Sequence, residues 1–451
     1  MKVAKFGGTS MATAEQVKKV CDIVLSDCER RLVVVSAPGK RFKEDIKVTD
    51  MLIKLAEKYL AEGTAEAELH AVVERYREIA RGLSLNDDIV NVIENDLRQR
   101  LTVSTDNKDK FIDCLKAAGE DNSAKVTAEY LRSKGIEAHY INPGEAGLLL
   151  SDEFGNARVL PESYDNLRAL KDKTGIMVFP GFFGYSSKGD VVTFSRGGSD
   201  ITGSILAAAV EATVYENFTD VDSVFVANPN IVSNPVGIPV ITYREMRELS
   251  YAGFSVLHEE TLEPVYRGGI PVNIRNTNNP SAPGTMIVTA RENNNGPVVG
   301  IAGDSGFCSI YVRKYLMNRE VGFGRKILQI LEEEGISYEH IPSGIDEMSI
   351  IIREKQFTAD IETRVTTRIK NELHVEDISV IHNGALVMVV GEGMIRTVGI
   401  AVRATGALAR AGVNIEMINQ GSSEVSMMFG VQAVDNDKAV RALYEEFFGN
   451  K

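Results

Sequence analysis

The chain has 451 residues, 44% hydrophobic and 25% charged, and its formal net charge is −13. That length gives room for roughly two to four domains, and the acidic balance argues against a nucleic-acid backbone or an anionic membrane as main partner. No stretch approaches the ~20 apolar residues of a membrane span, MKVAKFGG lacks a leader's apolar core, and the scattered Cys21, Cys28, Cys114 and Cys308 form neither a disulfide framework nor a CxxC metal site, so a reducing cytoplasm is the expected compartment.

Val3–Phe6 reads as a short strand stopped by Gly7-Gly8. Helical spacing follows over 12–29 (Val17, Val20, Cys21, Val24), then Leu32–Val35 as a strand buried on both faces. Residues 50–134 have the composition and period of a helical subregion. Three more strands are predicted at Ile176–Pro180, Val191–Phe194 and Val214–Phe218, each ending at a glycine or small polar cluster. Such alternation predicts a mostly parallel sheet covered by helices, with ligands outside the carboxyl ends of its strands. Turn chemistry at 276–284 and an exposed linker at 291–297 place a domain boundary near 295.

Beyond it the sequence repeats at an offset of 77: Met317 with Met394, Val321 with Val398, Gly322 with Gly399, Gly335 with Gly412, Glu347 with Glu424. The first unit closes on a strand at Ile378–Ile381. The second ends on a helix at 436–448, and Val298–Ile301 is the candidate for its missing strand, which predicts interlocked units.

Three segments carry candidate chemistry. Lys5-Phe6-Gly7-Gly8-Thr9-Ser10 sets a lysine before a glycine turn and a helix start, a pattern that suits a phosphate but is not a Walker A motif. Ser195-Arg196-Gly197-Gly198-Ser199-Asp200 offers a guanidinium for a carboxylate, with Asp200 either capping the next helix or serving the reaction. Thr219-Asp220-Val221-Asp222 could hold a ribose or base, or form a plain surface turn. Together they describe a site for an anionic phosphate donor and a carboxylate acceptor. Such an acceptor is already ionised at neutral pH, so the absence of an obvious histidine base counts little. No metal-ligand spacing occurs among the six histidines.

In this order the motifs resemble aspartokinases of the amino-acid kinase family. The likeness runs from KFGGTS through Gly119-Glu120, FGNAR at 154–158, PGFFG at 180–184, RGGSD at 196–200 and TDVDSV at 219–224 to NPSAPGT at 279–285. The resemblance implies a three-layer αβα sandwich with a mostly parallel sheet at 1–295. Two βαββαβ ACT-like regulatory modules would follow at 304–383 and 384–451, the second completed by 296–303. It implies ATP-dependent phosphorylation of L-aspartate with Mg²⁺, and feedback control by an end-product amino acid. Lys5 and Asp200 would be catalytic, with Thr49, Glu120, Phe182, Arg196 and Ser199 around aspartate. Gly7, Gly8, Thr9, Ser36, Thr219, Asp220, Phe225 and Asn230 would lie along the nucleotide. The segment Phe225–Asn230 departs from the usual pattern, in which an arginine stands where this chain has Asn230, and Arg275 is the candidate to replace that charge.

The effector is expected near the turn into the first repeat's helix, at Met317, Glu320, Val321, Gly322 and Phe323. Tyr338, Glu339, Asp346 and Glu347 would face it. Acidic side chains there suit a second, distal ammonium, which favours lysine over threonine. Exposed sheet edges predict pairing into a homodimer or a dimer of dimers. A kinase for another acidic amino acid and a non-catalytic amino-acid sensor are the competing readings.

Overall fold

The computed structural model describes the chain except residues 196, 255–258, 293–295 and 450–451. The predicted boundary at 295, and the predicted substrate residue Arg196, lie outside the described residues. Two compact units form: Met1–Val224 with Gly237–Met246 and Ser255–Arg291, and Phe225–Val236 with Arg247–Phe254 and Glu292–Lys451. The kinase-like part expected over 1–295 is therefore not one block, because two of its internal segments pack with the C-terminal unit.

In the first unit the strands are β1 (Lys2–Phe6), β2 (Arg30–Val35), β3 (Ala138–Tyr140), β4 (Leu149–Leu150), β5 (Ile176–Pro180), β6 (Phe183–Ser186), β7 (Val191–Thr193), β8 (Tyr215–Thr219), β9 (Val240–Thr242), β10 (Val272–Asn276) and β11 (Thr285–Val288). One sheet runs β3-β5-β2-β1-β8-β10-β11-β9, and every pairing in it is parallel except β10 with β11. Leu32, Val33, Val34 and Val35 of β2 are all fully buried, each contributing about 1.5–3 kcal/mol. The predicted strand at Val191–Phe194 does not join this sheet. It ends at Thr193 and pairs antiparallel with β6 in a separate three-stranded sheet, because Ser186–Gly189 folds the chain back as a turn. The helical subregion resolves into helices at Val48–Glu62, Glu66–Gly82, Asp88–Arg100 and Lys108–Ser133.

The two faces of the sheet differ in charge. Lys5 pairs in register with Asn217, and both face the helix Gly198–Ala209. On the opposite face Phe6 stacks on Phe218, and Arg30 and Arg275 flank that ring at 5.6 and 5.4 Å. Glu216 holds both guanidiniums, with Arg30 Nε at 2.6 Å and Arg275 Nη1 at 3.0 Å. The pairing is buried, so breaking it strands charge in a medium of low polarity. Glu216→Gln is expected to destabilise the protein by about 3–5 kcal/mol, read as a lower urea midpoint with an unchanged slope.

The second unit has one antiparallel sheet, β13-β12-β14-β16-β15, built from β12 (Gly300–Arg313), β13 (Glu347–Arg353), β14 (Asp377–Val390), β15 (Met417–Asn419) and β16 (Ser426–Gln432). β12 and β14 each serve both repeats. Gly300–Ser305 pairs with Ala385–Val390, and Phe307–Arg313 pairs with Asp377–Gly384 beyond a register shift. The divisions at 303/304 and 383/384 thus fall inside continuous strands. The 77-residue repeat shows in the backbone: Gly322 and Gly399, at φ 81° and 93°, precede helices Phe323–Glu333 and Ile400–Arg410.

Candidate active site

The carboxyl ends of the central strands converge where the sequence motifs lie. β1 delivers Lys5 and then Gly7, whose N–H donates to Phe218 O at 3.2 Å. β2 delivers Ser36 and Ala37, with Ser36 N–H bonded to Phe6 O at 3.2 Å and Gly39 N–H to Gly8 O at 2.7 Å. A methyl at Gly39 would lie 2.6 Å from the Gly8 carbonyl carbon, so only glycine admits this approach of the two turns. β5 delivers Gly181 and Phe182, and Gly181 is packed so closely that its missing Cβ would fall 2.6 Å from the Ser199 Cβ. Ser36, Gly181 and Ser199 are thereby brought together with Gly8. β8 ends on Thr219, whose hydroxyl lies 3.2 Å from the neighbouring Asp220.

Asp200 is not a helix cap. The helix Gly198–Ala209 starts after Gly197, at φ 73°, with no side-chain cap bond, and Asp200 sits in its first turn. Its Oδ1 pairs with Lys5 Nζ and accepts from Asn217 Nδ2 at 2.8 Å, while Tyr215 OH donates to its backbone carbonyl at 3.1 Å. Lys5 is 7% exposed. Its ammonium, held by the Asp200 carboxylate, lies 3.6 Å from the position a Gly7 Cβ would take, at the glycine turn.

Glu120 lies on the helix Lys108–Ser133, beside Gly119, whose Cβ position is 2.7 Å from the Ala37 Cβ and 3.8 Å from Val48. The start of helix Val48–Glu62, and with it Thr49, therefore belongs to the same rim. Glu120 is 5% exposed, its Oε2 has no hydrogen-bond partner, and burial pushes its carboxyl up to about 8. A buried acceptor without a donor costs stability unless a ligand supplies one. Phe182, held at φ 76°, has its ring 5.6 Å from Lys116 Nζ. The sequence reading missed Asn217, because nothing local marks it.

Arg275, Phe225 and Asn230 complete the predicted nucleotide set. The Arg275 charge is engaged by Glu216 and the Pro280 carbonyl, on the sheet face opposite Lys5. Phe225 and Asn230 belong to the second unit, where Asn230 N–H donates to Asn228 Oδ1 at 2.9 Å. Among the described residues no group of three or more His, Cys, Asp and Glu stands ready to hold a metal, and no helix is long and apolar enough to cross a membrane.

The predicted effector residues divide. Leu316 N–H donates to Asp346 Oδ1 at 2.8 Å and Asn318 N–H to Ile345 O at 3.1 Å, which sets the turn at 316–323 beside Asp346 and Glu347. Val321 is 95% exposed there, Met317 and Phe323 are buried, and Gly322 is the helix N-cap. Glu320 is paired with Lys314 at 2.5 Å and Lys326 at 2.8 Å, which holds its carboxyl down at about 2. Tyr338 and Glu339 lie further along, where Glu339 is bonded by Tyr251 and Arg353. Glu320 and Glu339 are thus already partnered by donors of the chain itself. The second repeat has its own cavity of about 500 Å³ at the equivalent turn, lined by Met394, Val398, Gly399, Gly421 and Glu424.

A mostly parallel sheet whose strand ends gather a buried lysine, two glycine turns and a buried carboxyl with one oxygen lacking a donor is the architecture of a small-molecule kinase. The amino acid kinase family model matches residues 1–276, and an ACT domain model matches 387–447. Aspartokinase 3 of Bacillus subtilis (strain 168) is 59% identical over 448 residues, 99% of each chain. Clostridium acetobutylicum aspartate kinase superposes with a TM-score of 0.89 at 41% identity, covering 99% of this chain and 100% of that one. E. coli aspartokinase III, solved with aspartate and ADP (R-state), superposes at 0.76 with 27% identity and coverage of 99% and 100%. With lysine and aspartate (T-state) it superposes at 0.77, again 27% identical and with 99% of each chain covered. The chain belongs to the amino acid kinase family, and within it to the aspartokinases that carry ACT domains.

Proposed function

We propose that the protein phosphorylates the β-carboxylate of L-aspartate with ATP, giving 4-phospho-L-aspartate. The observation that carries this reading is the buried Glu120 carboxyl, whose Oε2 has no hydrogen-bond partner, on the rim that also holds Lys5. An acidic amino acid needs such a group for its ammonium. Thr49, Phe182 and Ser199 would line its pocket, and Arg196 would take its α-carboxylate. Gly7, Gly8, Thr9, Ser36, Thr219 and Asp220 would border the nucleotide.

The reaction brings two anions together, so the chain's work is positioning and charge neutralisation. Lys5 would meet the transferred phosphoryl group. Asp200, fixed by Asn217, would hold Lys5 at its place on the rim. Mg²⁺ would neutralise phosphate charge, brought in with the nucleotide rather than held by a ready cluster of protein ligands. Cytoplasmic residence and a homodimer or dimer of dimers complete the reading, along with control by an amino acid. For the effector the likeness to E. coli aspartokinase III, solved with lysine and aspartate, supports lysine at the 316–323 turn. Glu320 and Glu339 are held in ion pairs, whereas the Asp346 and Glu347 side chains accept only the neutral Leu316 N–H and Tyr311 hydroxyl among the described residues, which leaves these two as the acidic groups for its distal ammonium.

An ATP–hydroxylamine assay with L-aspartate, L-glutamate and N-acetylglutamate in parallel tests the substrate. Acyl-hydroxamate from aspartate alone is expected, and a preference for either other acid, or no product, defeats the reading. In the same assay lysine is expected to inhibit; inhibition by threonine alone would remove the lysine assignment.

A further inference from the structure

We propose that Asp113 is a positioning residue that holds Lys116 away from Glu120, so that the Glu120 carboxylate stays free for the ammonium of the acidic substrate. The inference rests on reading Glu120 as the ammonium site. Asp113, Lys116 and Glu120 share one face of the helix Lys108–Ser133, at spacings of three and four residues. A lysine four residues before a glutamate on a helix lies within reach of it. Here Lys116 Nζ instead sits 2.8 Å from Asp113 Oδ1, with its side chain 14% exposed. Glu120 Oε2 is left with no partner.

Asp113 is itself locked. It is 1% exposed, and its Oδ2 accepts the N–H of Gly155 and of Thr193, both at 2.8 Å. Its Oδ1 accepts the Thr193 hydroxyl at 2.9 Å. Those bonds join the helix to the FGNAR loop and to β7, the strand that leads into Gly197–Asp200. The carboxylate therefore cannot turn toward another partner, and Lys116 remains with it. Glu120 is faced by the Ala37 backbone N–H, which draws its carboxyl down against burial, by Lys116 on its own helix, and by Tyr76, whose hydroxyl donates to Gly119 O at 2.6 Å.

Asp113→Asn is nearly isosteric. The amide oxygen can keep both backbone N–H bonds, and the amide nitrogen can donate to the Thr193 hydroxyl, so chiefly the hold on Lys116 is lost. In the full-length enzyme the KM for aspartate is expected to rise about tenfold while the KM for ATP stays within about twofold. The pH midpoint of kcat/KM for aspartate should fall, because Lys116, which already draws the Glu120 carboxyl down from a distance, would then pair with its ionised form directly. The double variant Asp113→Asn/Lys116→Met should recover most of the KM and return the midpoint upward. Lys116→Met alone should leave the KM for aspartate within about threefold. Parallel rises in both KM values, a double variant no better than Asp113→Asn, or a tenfold loss in Lys116→Met would each overturn the proposal. Should Asp113→Asn fail to fold, the Lys116→Met result still decides. Glu120→Gln separates the two layers: an unchanged KM for aspartate sinks the ammonium reading and this inference with it. A raised KM there with a wild-type Asp113→Asn sinks this inference alone.

Discussion

Lys5→Met is expected to lower kcat by roughly 10²–10³, about 3–4 kcal/mol of transition-state stabilisation, with a smaller change in the KM for aspartate. The lysine is almost fully buried and already held by Asp200. Its charge needs no reorganisation when phosphate oxygens arrive, which is where such groups gain most. Methionine keeps the volume and apolar stem, so the core around β1 should tolerate it. The variant leaves Asp200 without its cation, still bonded by Asn217. That residual negative charge beside an anionic nucleotide should add to the loss, so Lys5→Met/Asp200→Asn should be no slower than Lys5→Met alone. Steady-state kinetics on both variants check this; a Lys5→Met enzyme within tenfold of wild-type kcat would remove Lys5 from the chemistry.

Glu120→Gln should separate binding from stability. Loss of an ion-paired hydrogen bond to the substrate's ammonium costs about 1.5–3 kcal/mol, so the KM for aspartate should rise about 10–150-fold. The same change should make the protein more stable. Glu120 lies at about 8 in the folded protein against an ordinary 4.5. The folded state therefore keeps the proton where the unfolded chain has lost it, and stability falls as pH rises from 4.5 toward 8. At pH 7 the cost approaches about 3 kcal/mol as an upper bound. A neutral glutamine escapes it, so the gain in Tm should be large at pH 8 and should vanish below pH 4.5. In the wild type, kcat/KM for aspartate should climb with pH to a plateau above about 8, because only the ionised carboxyl pairs with the ammonium. Glu120→Gln should flatten that rise. A variant no more stable than wild type at pH 8 would contradict the buried, unpaired state of this group.

Much of the fold was legible from local signals. Leu32–Val35 reads as a strand because four consecutive apolar β-formers bury both faces, and β2 is found there. The 77-residue repeat reads directly because each module uses the same glycines at positive φ. Val191–Phe194 misled, because an apolar run announces a strand but not the sheet it joins. Asp200 kept its cap alternative in the sequence because first-turn and cap positions differ by only a few residues. Arg275 drew the nucleotide reading from its charge, and the sequence carries no mark of the sheet face it takes.

What the amino-acid order determined unaided is the alternation of strands and helices, the lysine and glycine turns at strand ends, and the doubled C-terminal unit. Each depends on residues within a few positions of one another, where backbone preference and hydrophobic period act. Tertiary structure alone decided that Asn217 braces Asp200, that Glu216 occupies Arg275, that Gly155 and Thr193 lock Asp113, and that β12 and β14 each run through both repeats. Lys5 meets Asp200 only because β1 and β8 are neighbours with the helix Gly198–Ala209 laid across them. Strand order and sheet face set those partners, and they are consequences of how the whole chain buries its apolar surface.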